Sequence, residues 1–379
     1  MRLNLELLRH TWFLGLKEFR SLAGDKAMLF LIIFMFTGAV YSDARSRPES
    51  LFRAAVAVVD EDQSQLSERI IAALHPPQFI EPVRVSLADM DRGMDAGLYT
   101  FLINIPPGFQ RDVLAGKAPA LQLNVDATRL SQAQTGTGYI QNIVNDEIRT
   151  FAQRYRAVAT QPVELVTRAM FNPNLSNSWF TAVTSIINNV TMLGILLTGA
   201  ALLREREHGT IEHLLVMPVT PLEIMLSKIW SMGVVVLLAS SFSLLVVVKG
   251  VLAVQVAGSG WLFGLATLLY LFSAASIGIF MATLANSMPQ FGLMSILVLL
   301  PLQILSGSMT PRESMPDAIY WLMSLAPTTH YVSLAQSILF RDAGLATLWP
   351  SLMAVALIGA LFFVLAHYRL RRTIGAMQG

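Results

Sequence analysis

The chain has 379 residues, of which 54% are hydrophobic and only 14% charged, and its formal net charge is +2. This hydrophobic fraction is higher, and this charged fraction lower, than in soluble globular proteins. The composition therefore predicts an integral membrane protein. The small net charge and the lack of a basic stripe interleaved with aromatic residues argue against a nucleic-acid partner. Because the chain has no cysteine, disulfides, thiol catalysis and iron–sulfur clusters are excluded.

Residues 1–26 predict a cytoplasmic interfacial helix, because apolar residues recur there at steps of three and four among basic residues. A cleavable signal peptide is the alternative, but a charged region of this length with helical patterning is unusual in such peptides. We therefore expect an uncleaved helix followed by a short first span at residues 27–42. This span is marginal in length unless Lys26 extends it.

Residues 43–178 differ in composition from the rest and predict a soluble α/β domain. Short apolar runs bounded by Pro, Gly or Asp predict strands at Ala54–Val59, Phe101–Ile105 and Leu121–Val125. Helical patterns predict helices at Gln63–Leu74, Gly108–Ala115 and Ser131–Arg156. The alternation indicates an α/β or α+β unit with parallel strand pairing.

A charged segment at residues 204–228 separates two uncharged apolar runs, and we expect it to be a short loop at one membrane face. Thr220 and Glu223 have the spacing of a capping box around Pro221, which predicts a helix start there. Upstream, Leu214 and Leu215 lie on the apolar face of a predicted short helix. A folded loop with an apolar stripe is typical of a contact with a partner.

The apolar runs predict membrane spans at residues 179–203, 229–248, 261–285, 291–309 and 348–366. Residues 318–340 are uncharged but are interrupted by Pro327 and the polar residues that follow it. As a seventh span they would place the C-terminal arginines opposite the basic N-terminus, against the positive-inside rule. As a re-entrant hairpin, each arm has eight to ten residues, which is too few to cross the membrane. The broken backbone between the arms must then be buried in protein. We favour the hairpin.

With six spans, both termini, the charged loop and residues 286–290 share one side, which carries most of the Lys and Arg outside the large domain. The predicted fold is therefore an α-helical polytopic membrane protein with six transmembrane helices, a re-entrant hairpin, and an extracytoplasmic α/β domain inserted between helices 1 and 2. The N- and C-termini, including the tail at residues 367–379, are expected in the cytoplasm.

The sequence REREHGTIEHLLVMPVTPLEI, which starts at residue 204, is similar to the signature loop of bacterial ABC-2 type transporter permeases, and the resemblance extends over nearly the whole chain. It implies that this loop is a coupling helix that docks on a separate cytoplasmic ABC ATPase. It also implies the hairpin, the bacterial inner membrane, a second copy or a related permease, and a periplasmic membrane-fusion adaptor. The residues expected to couple to the ATPase are Glu205, Glu207, Gly209, Thr210, Glu212, Leu214, Leu215 and Glu223.

No phosphate-binding G-x-x-x-x-G-K-[ST] motif occurs, so this chain is not expected to be an enzyme or to carry a cofactor. ATP and magnesium would be bound by the partner ATPase. The six predicted spans contain no Asp, Glu, Lys or Arg, which argues against a secondary transporter driven by ions. We expect no metal site, because the His residues beside Glu212 match no ligand motif.

Polar residues within the spans have two interpretations. Most small and hydroxyl-bearing residues are expected to be helix-packing positions. The alternative places Asn188, Asn189 and Gln303 in a substrate path at a dimer interface. The resemblance to ABC-2 permeases implies the permease subunit of an ATP-driven exporter, with lipophilic small molecules or drugs as the expected substrates. The alternative function is a non-transporting receptor or assembly scaffold that binds through its periplasmic domain.

Overall fold

The computed structural model describes residues 2–46, 53–126, 130–155, 177–207 and 219–378. Its internal contacts divide the chain into two compact units. One, which we call the sheet unit, is Pro48–Arg168, and the other, the helical unit, is Met1–Arg47 together with Ala169–Gly379. The limits of the sheet unit lie close to those predicted for the soluble domain. The side of the membrane on which the sheet unit lies stays a prediction.

Helices account for most of the described residues and are labelled in chain order. They are α1 Arg2–Gly24, α2 Lys26–Phe34, α3 Val40–Ser46, α4 Gln65–Ala73, α5 Met90–Asp95, α6 Phe109–Leu114, α7 Leu130–Tyr155, α8 Asn177–Glu207, α9 Pro221–Phe242, α10 Gly260–Leu284, α11 Met288–Leu305, α12 Asp317–Ser324, α13 Pro327–Arg341 and α14 Leu345–Gln378. A π-helical turn, Met35–Ala39, joins α2 to α3, and a second π-helical stretch, Ser243–Val251, continues α9.

Within the described residues, six helices are long and apolar enough to cross a membrane, as predicted. They are Lys26–Ser46, Ser178–Glu207, Pro221–Val251, Gly260–Leu284, Met288–Leu305 and Leu345–Thr373. Several extend beyond the predicted spans, because a search for uncharged runs stops at the first charged residue while the helix continues through it. Asp43 and Lys228, assigned from the sequence to the flanking domain and loop, therefore lie within span helices.

Polar caps fix the starts of these helices. Thr220 and Glu223 form the predicted capping box, with Pro221 in the first turn of α9. The side chains of Ser259 and Ser287 likewise accept hydrogen bonds from the first turns of α10 and α11. Each cap satisfies backbone N–H groups that would otherwise lack a partner at a helix end.

Glycines allow α8 and α10 to pack closely. A Cβ atom on Gly278 would lie 2.3 Å from the carbonyl oxygen of Ile195, and one on Gly199 would lie 2.8 Å from the carbonyl oxygen of Gly278. Small residues at such crossings let two membrane helices approach backbone to backbone. The packing interpretation holds for these two glycines, whereas Gly233 and Gly264 face open space.

A buried hydroxyl network joins α8, α10 and α13. The Tyr270 hydroxyl donates to Thr191 Oγ1 at 2.9 Å and is also 2.9 Å from Thr328 Oγ1. The Tyr270 ring stacks on Tyr331 with centroids 4.0 Å apart, and the Tyr331 hydroxyl pairs with Thr267. In an apolar surrounding such mutual pairing avoids the cost of unsatisfied polar groups. The network therefore anchors α13 inside the bundle.

The predicted hairpin region contains α12 and α13, separated by a break at Leu325 and Ala326 with Pro327 in the first turn of α13. The predicted break is present, but the arms are unequal, with 8 residues in α12 and 15 in α13. The second arm is longer than predicted because residues 327–330, which the sequence indicates as the interruption, form the first turn of α13. Whether the two helices form a re-entrant hairpin stays a prediction.

The sheet unit contains a four-stranded sheet in the order β2-β1-β3-β4. The strands are β1 Val56–Asp60, β2 Val83–Arg84, β3 Phe101–Ile105 and β4 Gln122–Val125. β1 is parallel to both β2 and β3, whereas β4 is antiparallel to β3, so the sheet is mixed rather than fully parallel. β2 escaped prediction because two exposed residues carry no detectable periodicity.

Alternating residues of β1 face opposite sides of the sheet. Val56 and Val58 join a core that includes residues of α4, α6 and α7, while Ala57 and Val59 join a smaller core with residues of α5. Gly136 of α7 lies against the ring of Phe101, where a Cβ atom would be 2.1 Å away. Helices thus cover both faces, as expected for parallel strands buried on two sides.

Candidate functional site

The last turn of α8 carries four consecutive charged residues, and the last two contact neighbouring helix ends. Arg206 Nη1 donates to the carbonyl oxygens of Ala282, at 2.9 Å, and Ala285, at 3.0 Å, at the C-terminus of α10. The carboxylate of Glu207 accepts from the backbone N–H of Met288, at 2.6 Å, at the N-terminus of α11. The cation meets the negative end of one helix dipole and the anion meets the positive end of another.

The first two charges face α1 and α9. Glu205 binds Lys17 at 2.9 Å and Lys228 at 2.8 Å through its two carboxylate oxygens, and Lys228 Nζ also donates to Glu18 at 2.8 Å. We call Lys17, Glu18, Glu205 and Lys228 the ionic cluster. Arg204 lies beside it, 3.5 Å from Asp25 in the turn between α1 and α2.

Burial makes the ionic cluster unusual. The side chain of Lys228 is 1% exposed, Glu18 is 9% exposed and Glu205 is 12% exposed, whereas Lys17 is half exposed. Two buried carboxylates flank one buried ammonium group, and Lys17 balances the remaining negative charge from the surface. Such a group persists only if each buried charge keeps at least one partner of opposite charge, because an unpaired buried charge is strongly unfavourable.

An aromatic contact fixes α1 against α9 beside the ionic cluster. Trp230 stacks on Trp12 with centroids 4.8 Å apart and meets the edge of Phe19 at 5.3 Å. Its Nε1 donates to the carbonyl oxygen of Thr11 at 3.1 Å. Gly15 permits this approach, since a Cβ atom there would lie 2.2 Å from the indole. One face of α1, the predicted interfacial helix, therefore packs against the span helix α9.

Glu223 is also engaged within the chain. Its carboxylate accepts from the backbone and side chain of Thr220 in the capping box, and its other oxygen lies 3.0 Å from His10 Nδ1 in α1. Its side chain is 5% exposed. The start of α9 is thus held to α1 at two levels, by Glu223 near its end and by Lys228 deeper along it.

A cavity of 230 Å³ adjoins the ionic cluster between α1, α8 and α9. Its lining residues are Lys17, Glu18, Ser21, Leu22, Leu197, Ala201, Arg204, Glu205 and Met232. It leaves space beside the buried charges.

The structure places some of the predicted coupling residues. Glu205, Glu207 and Glu223 lie at the helix ends that flank the loop, each with a partner in the chain. The remaining predicted residues lie outside the described part of the chain, and they are Gly209, Thr210, Glu212, Leu214 and Leu215. The ATPase-coupling role of all eight stays a prediction.

The three residues of the predicted substrate path have different surroundings in the structure. Asn189 donates through Nδ2 to the carbonyl oxygen of Met35 in the first span, a packing contact. Asn188, one position earlier and so about 100° around the helix, lines a second cavity with Ser308. Gln303 is half-buried, and its backbone oxygen accepts from Ser308 Oγ at 2.9 Å. Their part in a path also stays a prediction.

Sequence reasoning did not identify Lys17, Glu18 or Lys228. Two signals were available: an acidic residue, Glu18, between the basic residues Lys17 and Arg20, and Lys228 next to an apolar run. Neither position reveals its partner, because α1 and α9 are about 200 residues apart in the chain. Among the residues that the structure describes, no group of three or more His, Cys, Asp or Glu could hold a metal ion.

Comparison with known proteins gives consistent results. A family model described as an ABC-2 family transporter protein matches residues 27–368. The chain is 59% identical over 370 residues to the inner membrane transport permease YhhJ of Escherichia coli strain K12, covering 98% of this chain and 99% of that protein. It is 28% identical over 386 residues to the probable multidrug ABC transporter permease YbhR of the same strain, with 97% and 100% coverage. It is 23% identical over 197 residues to ABC transporter G family member 20 of Dictyostelium discoideum, covering 52% of this chain and 27% of that protein.

Proposed function

We propose that this chain, which belongs to the ABC-2 family of transporter permeases, couples ATP hydrolysis by a separate subunit to export of a lipophilic small molecule or drug. Membership of the family implies partnership with an ABC ATPase. The chain itself has no phosphate-binding loop, so ATP and magnesium belong to that partner. The printed name of the relative YbhR, a probable multidrug permease, supports the substrate class.

The observation that carries the coupling proposal is the set of contacts at the two ends of the charged loop. Arg206 and Glu207 tie the end of α8 to α10 and α11, while Glu205 and Lys228 tie α8 and α9 to α1. A displacement applied to residues 208–218 is therefore delivered to helices α1, α8, α9, α10 and α11. Coupling between distant sites requires such a continuous set of packed and bonded elements.

Three further assignments complete the proposal. Two copies of this chain, or one copy and a related permease, form the pathway in the bacterial inner membrane. Both termini and residues 208–218 face the cytoplasm, in agreement with the distribution of basic residues. The sheet unit faces the periplasm, where it meets a membrane-fusion adaptor.

The coupling proposal is tested by replacing both Leu214 and Leu215 with Ala. We expect this variant to insert into the membrane but to bind the ATPase more weakly, because truncation of buried interface anchors commonly costs about 1 to 4 kcal/mol. Copurification with a candidate ATPase measures binding, and the hydrolysis rate of the complex measures coupling. The matched control replaces Leu293 and Leu297, two exposed leucines of α11, with Ala.

Normal binding, hydrolysis and export by the Leu214→Ala, Leu215→Ala variant would reject the coupling assignment and favour a receptor or scaffold. Charge reversal at Glu212 is a cleaner second variant than reversal at Glu207. Glu207 also accepts a hydrogen bond from the first turn of α11, so its reversal disturbs packing inside the chain as well as the loop.

A further inference from the structure

A second cavity, of 220 Å³, lies within the helical unit at the end of the spans opposite the ionic cluster. The first span contributes Asp43, and α8 contributes a polar stripe of Thr181, Thr184, Ser185 and Asn188. These four positions have the spacing of one helix face, so an otherwise apolar span turns a polar surface to the cavity. Asn188 lies about 10 Å farther along α8 than Thr181, at 1.5 Å per residue.

The cavity presents hydrogen-bond acceptors without a cation. Asp43 Oδ2 accepts from Ser185 Oγ at 2.6 Å, which orients the carboxylate. Asn188 Oδ1 is buried, and no hydrogen-bond partner for it exists among the described residues. None of the described residues that line the cavity is Lys, Arg or His. A buried acceptor normally has a hydrogen-bond donor, and a molecule in the cavity would supply one.

The remaining lining is mixed, because Ser46 and Ser308 are polar and Phe180 and Met309 are apolar, and it therefore suits both the charged and the apolar part of an organic cation. Phe180 and Met309 border the cavity, and both are substantially exposed. An aromatic face attracts cations, and a thioether packs against apolar groups. Pockets for drug-sized molecules measure roughly 300 to 1,000 Å³, so a cavity of 220 Å³ accepts a small organic cation or the charged end of a larger one.

We propose that this cavity binds an organic ammonium group, with Asp43 and Asn188 as its acceptors. The inference rests on the proposed export function and narrows its substrate class to amines that are protonated at neutral pH. The ammonium N–H groups donate to the Asp43 carboxylate and the Asn188 amide oxygen. The apolar part of the ligand contacts Phe180 and Met309.

Binding of benzylammonium to the purified full-length protein in detergent tests the proposal by calorimetric titration. We expect the wild-type protein to bind benzylammonium and neither benzyl alcohol nor benzoate. Asp43→Asn keeps the acceptor for Ser185 but removes the charge, and should weaken binding about 10- to 100-fold, the range of a charge-assisted hydrogen bond. Asn188→Leu should also weaken binding. The matched control is Asp342→Asn, the same change at an exposed residue that does not line the cavity.

Absence of binding by the wild-type protein, equal binding of benzyl alcohol, or unchanged binding by the Asp43 and Asn188 variants would each overturn the proposal. If Asp43→Asn lowers the melting temperature of the protein, its weaker binding has a second explanation, and the binding measured for Asn188→Leu decides the test. No ATPase is present in this assay, so its failure is distinguishable from failure of the export function. If the protein stimulates its ATPase but binds no amine, the export function stands and this site is rejected. If it binds the amine but does not stimulate an ATPase, the site stands and the export function is rejected.

Discussion

Lys228 occupies a position in α9 where an ammonium group is costly. Its Nζ lies 2.8 Å from a carboxylate oxygen of Glu18 and 2.8 Å from one of Glu205, and only 1% of the side chain is exposed. The attraction within this triad offsets the lost hydration only while both partners remain. Ionisable residues inside membrane helices usually mark functional positions, and this one joins the two helices that flank the charged loop to α1.

We expect Lys228→Met to destabilise the protein by about 3 to 5 kcal/mol, because it leaves the buried Glu18 carboxylate without a cation and Glu205 with Lys17 as its remaining partner in the cluster. Thermal and denaturant-induced unfolding in detergent measure the effect. The matched control, Lys17→Met, removes a half-exposed lysine from the same cluster and should cost no more than about 1 kcal/mol. A triple variant that also replaces Glu18 and Glu205 with Leu should recover much of the loss, since it buries no charge. Equal stability of Lys228→Met and Lys17→Met would contradict this account.

At the scale of elements, the break between α12 and α13 has its backbone groups satisfied by side chains. Thr329 Oγ1 donates to the carbonyl oxygen of Met323 at 2.7 Å, and His330 Nε2 lies 2.9 Å from that of Ser324. These two residues belong to the polar interruption that the sequence places after Pro327. Broken helices at membrane depth require such internal partners, because lipid offers none. This arrangement supports a re-entrant hairpin.

The hairpin predicts that Ser314 and Thr347, which flank α12 and α13, face the same side of the membrane. Both positions are exposed and the chain has no native cysteine, so single-cysteine variants can be labelled without background. We expect an impermeant thiol reagent to modify Ser314→Cys and Thr347→Cys from the same side in intact spheroplasts. Labelling from opposite sides would establish a seventh span and would place the C-terminus outside the cytoplasm.

At the scale of the whole molecule, orientation is the property on which the functional proposal depends. In the chain, α8 separates the sheet unit from residues 208–218, because the former precedes Asn177 and the latter follow Glu207. If α8 spans the membrane, the two segments lie on opposite sides. An ATPase can reach the loop only if the loop is cytoplasmic, and the sheet unit is then periplasmic.

Orientation is measured with cysteines at two exposed positions, Ala118 in the sheet unit and Asn286 between α10 and α11. We expect Ala118→Cys to react with the impermeant reagent in intact spheroplasts, and Asn286→Cys only after permeabilisation. Ser227→Cys serves as a buried control, because Ser227 is 2% exposed and should not react in either condition. Reaction of Asn286→Cys in sealed spheroplasts would reject the cytoplasmic loop and the coupling proposal with it.

Local sequence determined most of the fold. Uncharged runs located all six span helices, the change in composition located the sheet unit, and Thr220 with Glu223 located the start of α9. The signature loop determined the family. These features are readable because hydropathy, capping and strand periodicity act over a few neighbouring residues. The two-residue strand β2 and the antiparallel pairing of β4 were beyond such rules, since they depend on partners distant in the chain.

Tertiary structure alone decided the chemistry at the two ends of the spans. The sequence placed Lys228 in a solvated loop and Asp43 in the outer domain, and only the packing of helices carries Lys228 into a buried triad and Asp43 to the edge of a polar cavity. It likewise separated Asn188 from Asn189, which the sequence had grouped together. The physical reason is that burial and charge pairing depend on which helix faces meet, and residues such as Glu18 and Lys228 meet across 210 positions of the chain.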